Sequence, residues 1–205
     1  MTKLFLVRHG QTYFNVDHKI QGQMESDLTP EGIAQATALG KALNNSGITF
    51  SALYVSPMRR TRQTSELCTK GLGLEPIYND SLKEILMGDW QGLAVNDIKR
   101  DFAADWNLFW YHPEKFYRPT CETYLEVRNR AAKVIERIIV DHPKQNVLVI
   151  THGALLKTLY TYFKYQSIHE IANAPHPHST GVCVVEKKNG IWNILDWDNI
   201  KHLEK

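Results

Sequence analysis

The stretch "NVLVIT", residues 146–151, decides the fold of this 205-residue chain. It is a continuous apolar run rich in β-branched residues, which is typical of a parallel strand buried on both faces of its sheet. His152 and Gly153 follow it directly, and apolar residues then recur at helical spacing to about Lys164. The stretch therefore predicts the central strand of an α/β sheet, followed by a helix.

The same order of strand and then helix recurs along the rest of the chain. Strands are predicted at 3–8, 51–56 and 75–80, and helices at 30–44, 57–70, 94–112 and 120–142. Residues 181–197 predict a hairpin, because Asn189-Gly190 is a favoured pair for a two-residue type I′ turn. We expect a single domain over 1–205 with an α/β fold, a three-layer α/β/α sandwich with a mostly parallel central sheet and an antiparallel C-terminal hairpin.

The composition is that of an ordinary globular domain. The net charge is +2 and charged residues make up 22% of the chain, so we expect no nucleic-acid partner and no membrane partner. The cysteines, Cys68, Cys121 and Cys183, are dispersed and lack metal-type spacing, which favours a reducing compartment. The apolar run at 4–7 is too short for a signal peptide. We therefore expect a cytoplasmic location.

Two predicted parallel strands end in the same pair of residues. His9-Gly10 closes the first strand, directly after Arg8, and His152-Gly153 closes the central one. In open α/β sheets, ligands bind beyond the carboxyl ends of the strands. A lone histidine at a strand end is more often structural, but two in matching positions predict one shared pocket.

A basic segment lies between these two strand ends. In "SPMRRTRQT", residues 56–64, three arginines fall where the second strand turns into its helix. Successive helical residues point about 100° apart, so Arg59, Arg60 and Arg62 cannot all address one ligand. We expect one or two of them at the site and the others at the surface.

These segments and several others resemble the motifs of one family. The chain has "LVRHGQT" at 6–12 with Asn15 following, "QG" at 21–22, "LTPEG" at 28–32, "SPMRRTRQT" at 56–64, "EILMGDWQG" at 84–92 and "ITHG" at 150–153. In this order they resemble the histidine phosphatase superfamily, the phosphoglycerate mutase-like proteins. The motifs span nearly the whole chain.

The resemblance implies roles for the residues at the strand ends. His9 matches the nucleophile that carries the phosphoryl group as phosphohistidine. The residues that match the phosphate pocket are Arg8, Arg60, His152, Asn15 and Gly22. Arg60 is selected over Arg59 because the motif's arginine lies four residues after its serine. With two guanidinium groups in the pocket, no metal and no cofactor is expected.

The resemblance also assigns an acid and a lid. Glu84 matches the general acid that protonates the leaving group and later activates water. Glu122 is expected to lie behind the site. The family carries a variable lid, which corresponds to about 94–118 here. Aromatic residues of this segment are therefore candidates for lining the leaving-group side of the pocket, and packing in the core is the alternative: Trp106, Phe109, Trp110 and Tyr111. Such a wall would favour aryl or apolar-tailed substrates and lack further cations.

Three functions are consistent with this resemblance. The first is a metal-independent phosphatase for small phosphomonoesters, most similar to the broad-specificity and α-ribazole-type phosphatases. The second is a cofactor-dependent phosphoglycerate mutase, although 84–92 has the phosphatase form of its motif. The third is a non-catalytic module that binds a phosphorylated ligand. The expected partner is a small phosphorylated metabolite, and monomer and homodimer both stay open.

His176 and His178 are spaced as metal ligands, but a loop near the pocket mouth is the favoured interpretation.

Overall fold

The computed structural model describes residues 1–204, and its centre is one six-stranded sheet. The strands are β1 (Lys3–Arg8), β2 (Ala52–Val55), β3 (Pro76–Tyr78), β4 (Asn146–Thr151), β5 (Val182–Lys188) and β6 (Ile191–Asn199). Their order across the sheet is β3-β2-β4-β1-β5-β6. The first four are parallel to one another, whereas β5 and β6 run antiparallel. The predicted α/β fold with its antiparallel C-terminal hairpin is confirmed.

Strand β4 is the most buried strand, as its apolar run predicts. Val147, Leu148, Val149 and Ile150 are all fully buried, and their side chains alternate between two hydrophobic cores on opposite faces of the sheet. This burial on both faces explains why the strand has no polar alternation. In the parallel register, the last residue of β1 lies beside the last residue of β4. The two strand ends therefore open at the same point.

Seven α-helices surround the sheet within residues 1–204. They are α1 (Tyr13–Val16), α2 (Pro30–Asn45), α3 (Arg59–Cys68), α4 (Val95–Asp101), α5 (Ala103–Tyr111), α6 (Tyr124–Asp141) and α7 (Gly153–Lys164). One core packs α2 and α3 against one face of the sheet, and the other packs α4 to α7 against the opposite face. None of these helices is long and apolar enough to cross a membrane.

Several predicted element bounds differ from the structure. The helix predicted at 94–112 is two helices, because Phe102 leaves the helical region with φ −128° and ψ 38°. Helix α6 begins at Tyr124 rather than 120, because the side chains of Thr123 and Glu126 cap its first turn reciprocally. Helix α3 is shorter than 57–70 at both ends. The short helix α1 is not predicted from the sequence.

Two local features fix elements at the ends of the sheet. Asn189 and Gly190 have φ values of 51° and 81°, which is the type I′ geometry predicted for the hairpin, and this turn lies at the edge of the sheet where β1 begins. The fully buried Trp90 packs against aromatic rings of α5 and of the segment after it. This packing holds α5 beside the ends of β1 and β4.

Candidate active site

A cavity of about 170 Å³ lies at the carboxyl ends of β1 and β4. Six of the residues predicted as catalytic or phosphate-binding line it: Arg8, His9, Asn15, Gly22, Arg60 and Glu84. They come from the end of β1, from α1 and the loop after it, from the loop after β3, and from the first turn of α3. We call the part formed by Arg8, His9 and Arg60 the strand-tip end.

His9 is held in one orientation and one tautomer. Its ring is 3% exposed, and Nδ1 lies 2.7 Å from the carbonyl oxygen of Gly10. Because a carbonyl only accepts, Nδ1 carries the proton and Nε2 keeps a free lone pair. Burial and then the charges of Arg60 and Arg8 lower the pKa of His9 well below its usual value. The imidazole is therefore neutral and nucleophilic at physiological pH.

Arg60 is the arginine of the basic segment that enters the cavity. It is fully buried, and its guanidinium donates to the carbonyls of Gly22 at 2.8 Å and Met24 at 3.1 Å. These bonds leave one N–H free on each terminal nitrogen. Arg59 instead forms a surface ion pair with Asp27, as expected for an arginine on another helical face. Burial lowers the pKa of Arg60 to about 10, so the group stays charged.

Arg8, the last residue of β1, also lines the cavity. Nη1 donates to the carbonyl of Pro177 at 2.8 Å, and Nε is buried without a partner among the described residues. Burial lowers the pKa of Arg8 from its usual value, although the carboxylates of Glu84 and Asp198 act in the opposite direction. Two guanidinium groups thus supply unused donors to the same space.

His152 lies directly behind this pair. Its Nδ1 accepts from Nε of Arg60 at 3.1 Å, so Nε2 carries the proton and donates to Oγ of Ser56 at 2.7 Å. Burial, with the charge of Arg60, lowers the pKa of His152 well below its usual value. Both ring nitrogens are engaged, so His152 orients Arg60 in this structure. Its predicted contact with phosphate stays a prediction.

Asn15, on α1, and Gly22, in the loop that follows α1, contribute polar groups to the cavity. Oδ1 of Asn15 accepts from the backbone N–H of Thr12 at 3.0 Å, so its Nδ2 is available to the cavity. Gly22 has φ +52°, and a Cβ there would lie 2.3 Å from Oε1 of Gln91. Only glycine fits this turn, which brings the loop backbone against Arg60.

Glu84 faces the strand-tip end from the loop after β3. Oε2 accepts from the N–H of Ala154 at 3.0 Å, and Oε1 accepts from the N–H groups of Ile85 and Leu155, each at 3.0 Å. Two of these donors belong to the first turn of α7, so the amino end of that helix holds the carboxylate. The carboxylate is fixed at the cavity wall opposite the arginines.

A clamp behind Glu84 was missed by the sequence analysis. Arg130 forms a bidentate pair with Glu122, at 2.8 and 2.9 Å, and also donates to the carbonyls of Ser81, Lys83 and Glu84. Glu122 in turn accepts from the N–H of Leu86 at 2.8 Å. Glu122 thus lies behind the site, as expected. The local sequence gives no signal for Arg130, because charged residues on α6 look alike in the helical pattern.

The four predicted lid aromatics separate into two places. Phe109 and Trp110 line the cavity, and with Tyr124 of α6 they form what we call the helical wall. Trp106 and Tyr111 line a different surface groove, together with Lys99 and Lys157, and Trp110 borders that groove as well as the cavity. Two of the four predicted aromatics therefore line the cavity.

The two histidines near 177 also separate. His178 pairs with Asp198, with Nδ1 and Oδ2 2.6 Å apart, whereas His176 lines the cavity beside Gly153. Across residues 1–204, no group of three or more histidine, cysteine or acidic side chains is placed to hold a metal ion. The charged side chains of the strand-tip end are the guanidinium groups of Arg8 and Arg60.

Comparison with known proteins is consistent with this geometry. The model of the histidine phosphatase superfamily (branch 1) matches residues 4–200. The solved structure of Bacillus stearothermophilus YhfR is 32% identical, with a TM-score of 0.91 and complete coverage of both chains. A metal-independent phosphoserine phosphatase of Arabidopsis thaliana is 29% identical over 99% of this chain and 84% of its own length. A 2,3-bisphosphoglycerate-dependent phosphoglycerate mutase of Bartonella bacilliformis is 28% identical over 94% and 95%.

Proposed function

Because the chain belongs to branch 1 of the histidine phosphatase superfamily, we propose that it hydrolyses small phosphomonoesters through a phosphohistidine formed at His9. The observation that carries this proposal is the tautomer of His9. The bond from Nδ1 to the carbonyl of Gly10 leaves Nε2 unprotonated in a cavity lined by two guanidinium groups. A neutral nucleophile next to unused cationic donors suits attack on a phosphate dianion.

In the first step, Nε2 of His9 attacks phosphorus and the bond from phosphorus to the ester oxygen breaks. Arg8 and Arg60 stabilise the charge spread over the transferring phosphoryl oxygens. The leaving alkoxide takes a proton from the carboxyl group of Glu84. Asn15 and the backbone at Gly22 add uncharged contacts to the phosphoryl group.

In the second step, water attacks the phosphorus of phosphohistidine and the bond from phosphorus to Nε2 breaks. Glu84 is now the carboxylate and accepts the proton of that water. Inorganic phosphate leaves, and His9 returns to its neutral form. General acid–base catalysis of this kind contributes roughly 10²–10⁴-fold to the rate.

Trapping the intermediate tests this proposal. The wild-type protein, mixed briefly with a ³²P-labelled monoester and quenched in base, should carry acid-labile phosphate on His9. His9→Ala should lose both the label and essentially all turnover while keeping its unfolding temperature, and the exposed His112→Ala is the matched control. Chelation with EDTA should leave activity unchanged. A His9→Ala variant with a tenth of wild-type turnover would rule out the assigned nucleophile.

A phosphoglycerate mutase is the second candidate, because a curated mutase is 28% identical over nearly the whole length of both chains. A mutase must keep water from its phosphohistidine, whereas a phosphatase must admit water beside Glu84. We expect phosphate release and negligible interconversion of 2- and 3-phosphoglycerate when bisphosphoglycerate is supplied. Rapid isomerisation with little phosphate release would favour the mutase.

We also propose that the phosphatase is located in the cytoplasm.

A further inference from the structure

A surface groove beside α5 lies outside the catalytic cavity. Its volume is about 290 Å³, close to the lower end of the roughly 300–1,000 Å³ of typical ligand pockets. We call it the α5 groove, and its lining comes from α4, α5, α7 and the 3₁₀ helix Ile168–Asn173: Lys99, Trp106, Trp110, Tyr111, Lys157 and Ala172. None of these side chains supplies a reacting group to the proposed mechanism. The groove is therefore separate from the chemistry at His9.

Lys157, on α7, is a cation of the α5 groove that the proposed mechanism does not use. The residue is 7% exposed, and its Nζ lies 4.7 Å from the ring centroid of Trp110. Within residues 1–204 it forms no hydrogen bond and no ion pair, and no acidic side chain offsets the burial that lowers its pKa. Burying a charge without a partner costs stability, so Lys157 points to an anion that binds beside it.

Lys99, on α4, repeats this arrangement at the neighbouring indole. Its Nζ lies 5.6 Å from the ring centroid of Trp106, and it too forms no ion pair within the described chain. The indole rings of Trp106 and Trp110 pack edge to face, with centroids 5.7 Å apart. A cation–π contact contributes only about 0.5–2 kcal/mol, so both ammonium groups keep most of their attraction for an anion. The rings themselves offer apolar surface to an aromatic body.

The charges of the α5 groove differ from those of a second surface groove, which lies beside α3. There Arg59 and Arg62 are accompanied by the carboxylates of Glu25 and Glu66, so positive and negative side chains are equal in number. The α5 groove has two ammonium groups and no carboxylate among its lining side chains. Its positive potential therefore selects a negative ligand, and its rings select an aromatic one.

Among the described residues, Trp110 alone lines both the α5 groove and the catalytic cavity. A ligand in the groove and a substrate in the cavity therefore contact the same ring without occupying the same space. The cavity has a volume of only about 170 Å³, so this ring limits the size of the leaving group that fits. A ligand that holds the ring from the groove opposes its movement away from the cavity. The two ligands then weaken each other's binding.

We propose that the α5 groove binds a small aromatic anion as a regulatory ligand, with its ring against the two indoles and its charge beside Lys157 and Lys99. Binding of this ligand raises KM for phosphomonoesters with bulky leaving groups and leaves KM for small ones unchanged. The effect on KM rests on the proposed phosphatase function, whereas the binding itself does not.

Calorimetry with three probes tests the site: 1-naphthoate, 1-naphthamide and cyclohexanecarboxylate. Saturating orthovanadate is present throughout, so that the strand-tip end is occupied. The wild-type protein should bind 1-naphthoate about ten-fold more tightly than either other probe, because only this probe has both aromatic rings and a charge. Lys157→Met should weaken 1-naphthoate about ten-fold and change 1-naphthamide less than about two-fold. Trp106→Leu should weaken both aromatic probes about three- to ten-fold.

Lys164→Met, at an exposed residue further along α7, is the matched control and should change none of the three affinities. Equal affinities for the three probes would overturn the proposal, as would binding of 1-naphthoate that Lys157→Met does not weaken. If Lys157→Met does not fold, Lys99→Met decides the question, because it should weaken 1-naphthoate about five-fold.

Kinetics test the regulatory effect. Saturating 1-naphthoate should raise KM for phenyl phosphate about five-fold, level off there, and leave KM for methyl phosphate within about two-fold. Competition at the catalytic cavity would instead raise both values in proportion to the concentration of the probe. That result would overturn the regulatory role, as would an unchanged KM for phenyl phosphate. Failure of the phosphatase function itself would look different, because no ester would then label His9 while 1-naphthoate still bound.

Discussion

At the strand-tip end of the cavity, backbone carbonyls and a histidine hold each reacting group, whereas packing between rings holds the side chains of the helical wall. Arg60 is fixed by Gly22, Met24 and His152, and His9 by the carbonyl of Gly10. Phe109 and Tyr124 are placed by packing of their rings, whose centroids lie 4.6 Å apart at an interplanar angle of 31°. The difference teaches that hydrogen bonds at the strand ends fix the side chains of the strand-tip end, whereas the packing of helices fixes those of the helical wall.

Substitutions at the two regions should therefore have different signatures. A change at the strand-tip end should lower kcat/KM by the same factor for every phosphomonoester, because all of them present the same phosphoryl group. A change at the helical wall should alter the ratio between substrates. The following predictions test that contrast in order of decreasing effect.

Arg60→Met should have the largest effect. It removes two free N–H groups from the phosphoryl site, each worth about 1.5–3 kcal/mol as a hydrogen bond to a charged group. We expect kcat/KM to fall roughly 10²–10⁴-fold, equally for aryl, alkyl and carboxylate-bearing esters. Arg59→Met, at a surface ion pair, should change it less than two-fold. If the loss of kcat/KM differs strongly between these esters, the strand-tip end and the helical wall do not have the separate roles expected of them.

The buried imidazoles should make the fold sensitive to acid. Burial lowers the pKa of His9 in the folded state, so below pH 6.5 the unfolded chain binds a proton that the folded chain does not. Stability is therefore lost as the pH falls, by about 1.4 kcal/mol per pH unit for this residue. Between pH 7 and pH 5, urea unfolding of the wild type should show about 2 kcal/mol more loss than that of His9→Gln. Equal losses would mean that His9 gains its proton without unfolding.

The clamp behind Glu84 should have an intermediate effect. Arg130→Gln removes the donors that hold the carbonyls of Ser81, Lys83 and Glu84 and leaves Glu122 without its partner. We expect roughly a ten-fold loss of kcat for alkyl esters and a smaller loss for aryl esters, whose leaving groups need less protonation. Arg137→Gln, on the exposed side of α6, is the control. The same loss for both ester types would mean a general loss of structure.

The smallest effect should separate two rings of α5. Phe109→Leu alters the helical wall and should lower kcat/KM for phenyl phosphate about three- to ten-fold, since a ring contact contributes about 0.5–1.5 kcal/mol. Trp106→Leu lies outside the cavity and should leave this value within about two-fold. Melting temperatures of both variants control for lost packing around Trp90. If Trp106→Leu has the larger effect on kcat/KM, then Trp106 and not Phe109 contacts the substrate, and the helical wall is assigned to the wrong residues.

Much of this molecule follows from local patterns in its sequence. The unbroken apolar run of β4 predicts a strand buried on both faces, and that burial is what the structure has. The pairs His9-Gly10 and His152-Gly153 end adjacent parallel strands, so their convergence follows from strand direction. Arg60 could be singled out from Arg59 by the motif, and the structure brings it into the cavity. These features depend on residues close together in the chain or on a rule of sheet topology.

Other features depend on contacts between distant segments. Arg130 reaches a loop 46 residues away, and no local period distinguishes it from the other charges of α6. His152 has both nitrogens engaged because Arg60 and Ser56 arrive from another strand and helix. The break at Phe102 sets the rotation of α5, and that rotation turns Phe109 and Trp110 toward the cavity and Trp106 and Tyr111 away from it. The sequence by itself determined the strands, their ends and the place of His9 there, because these follow from short-range patterns. Tertiary packing alone decided which aromatic side chains line the cavity, because the period of a helix can be read from the sequence but the direction in which each face points cannot.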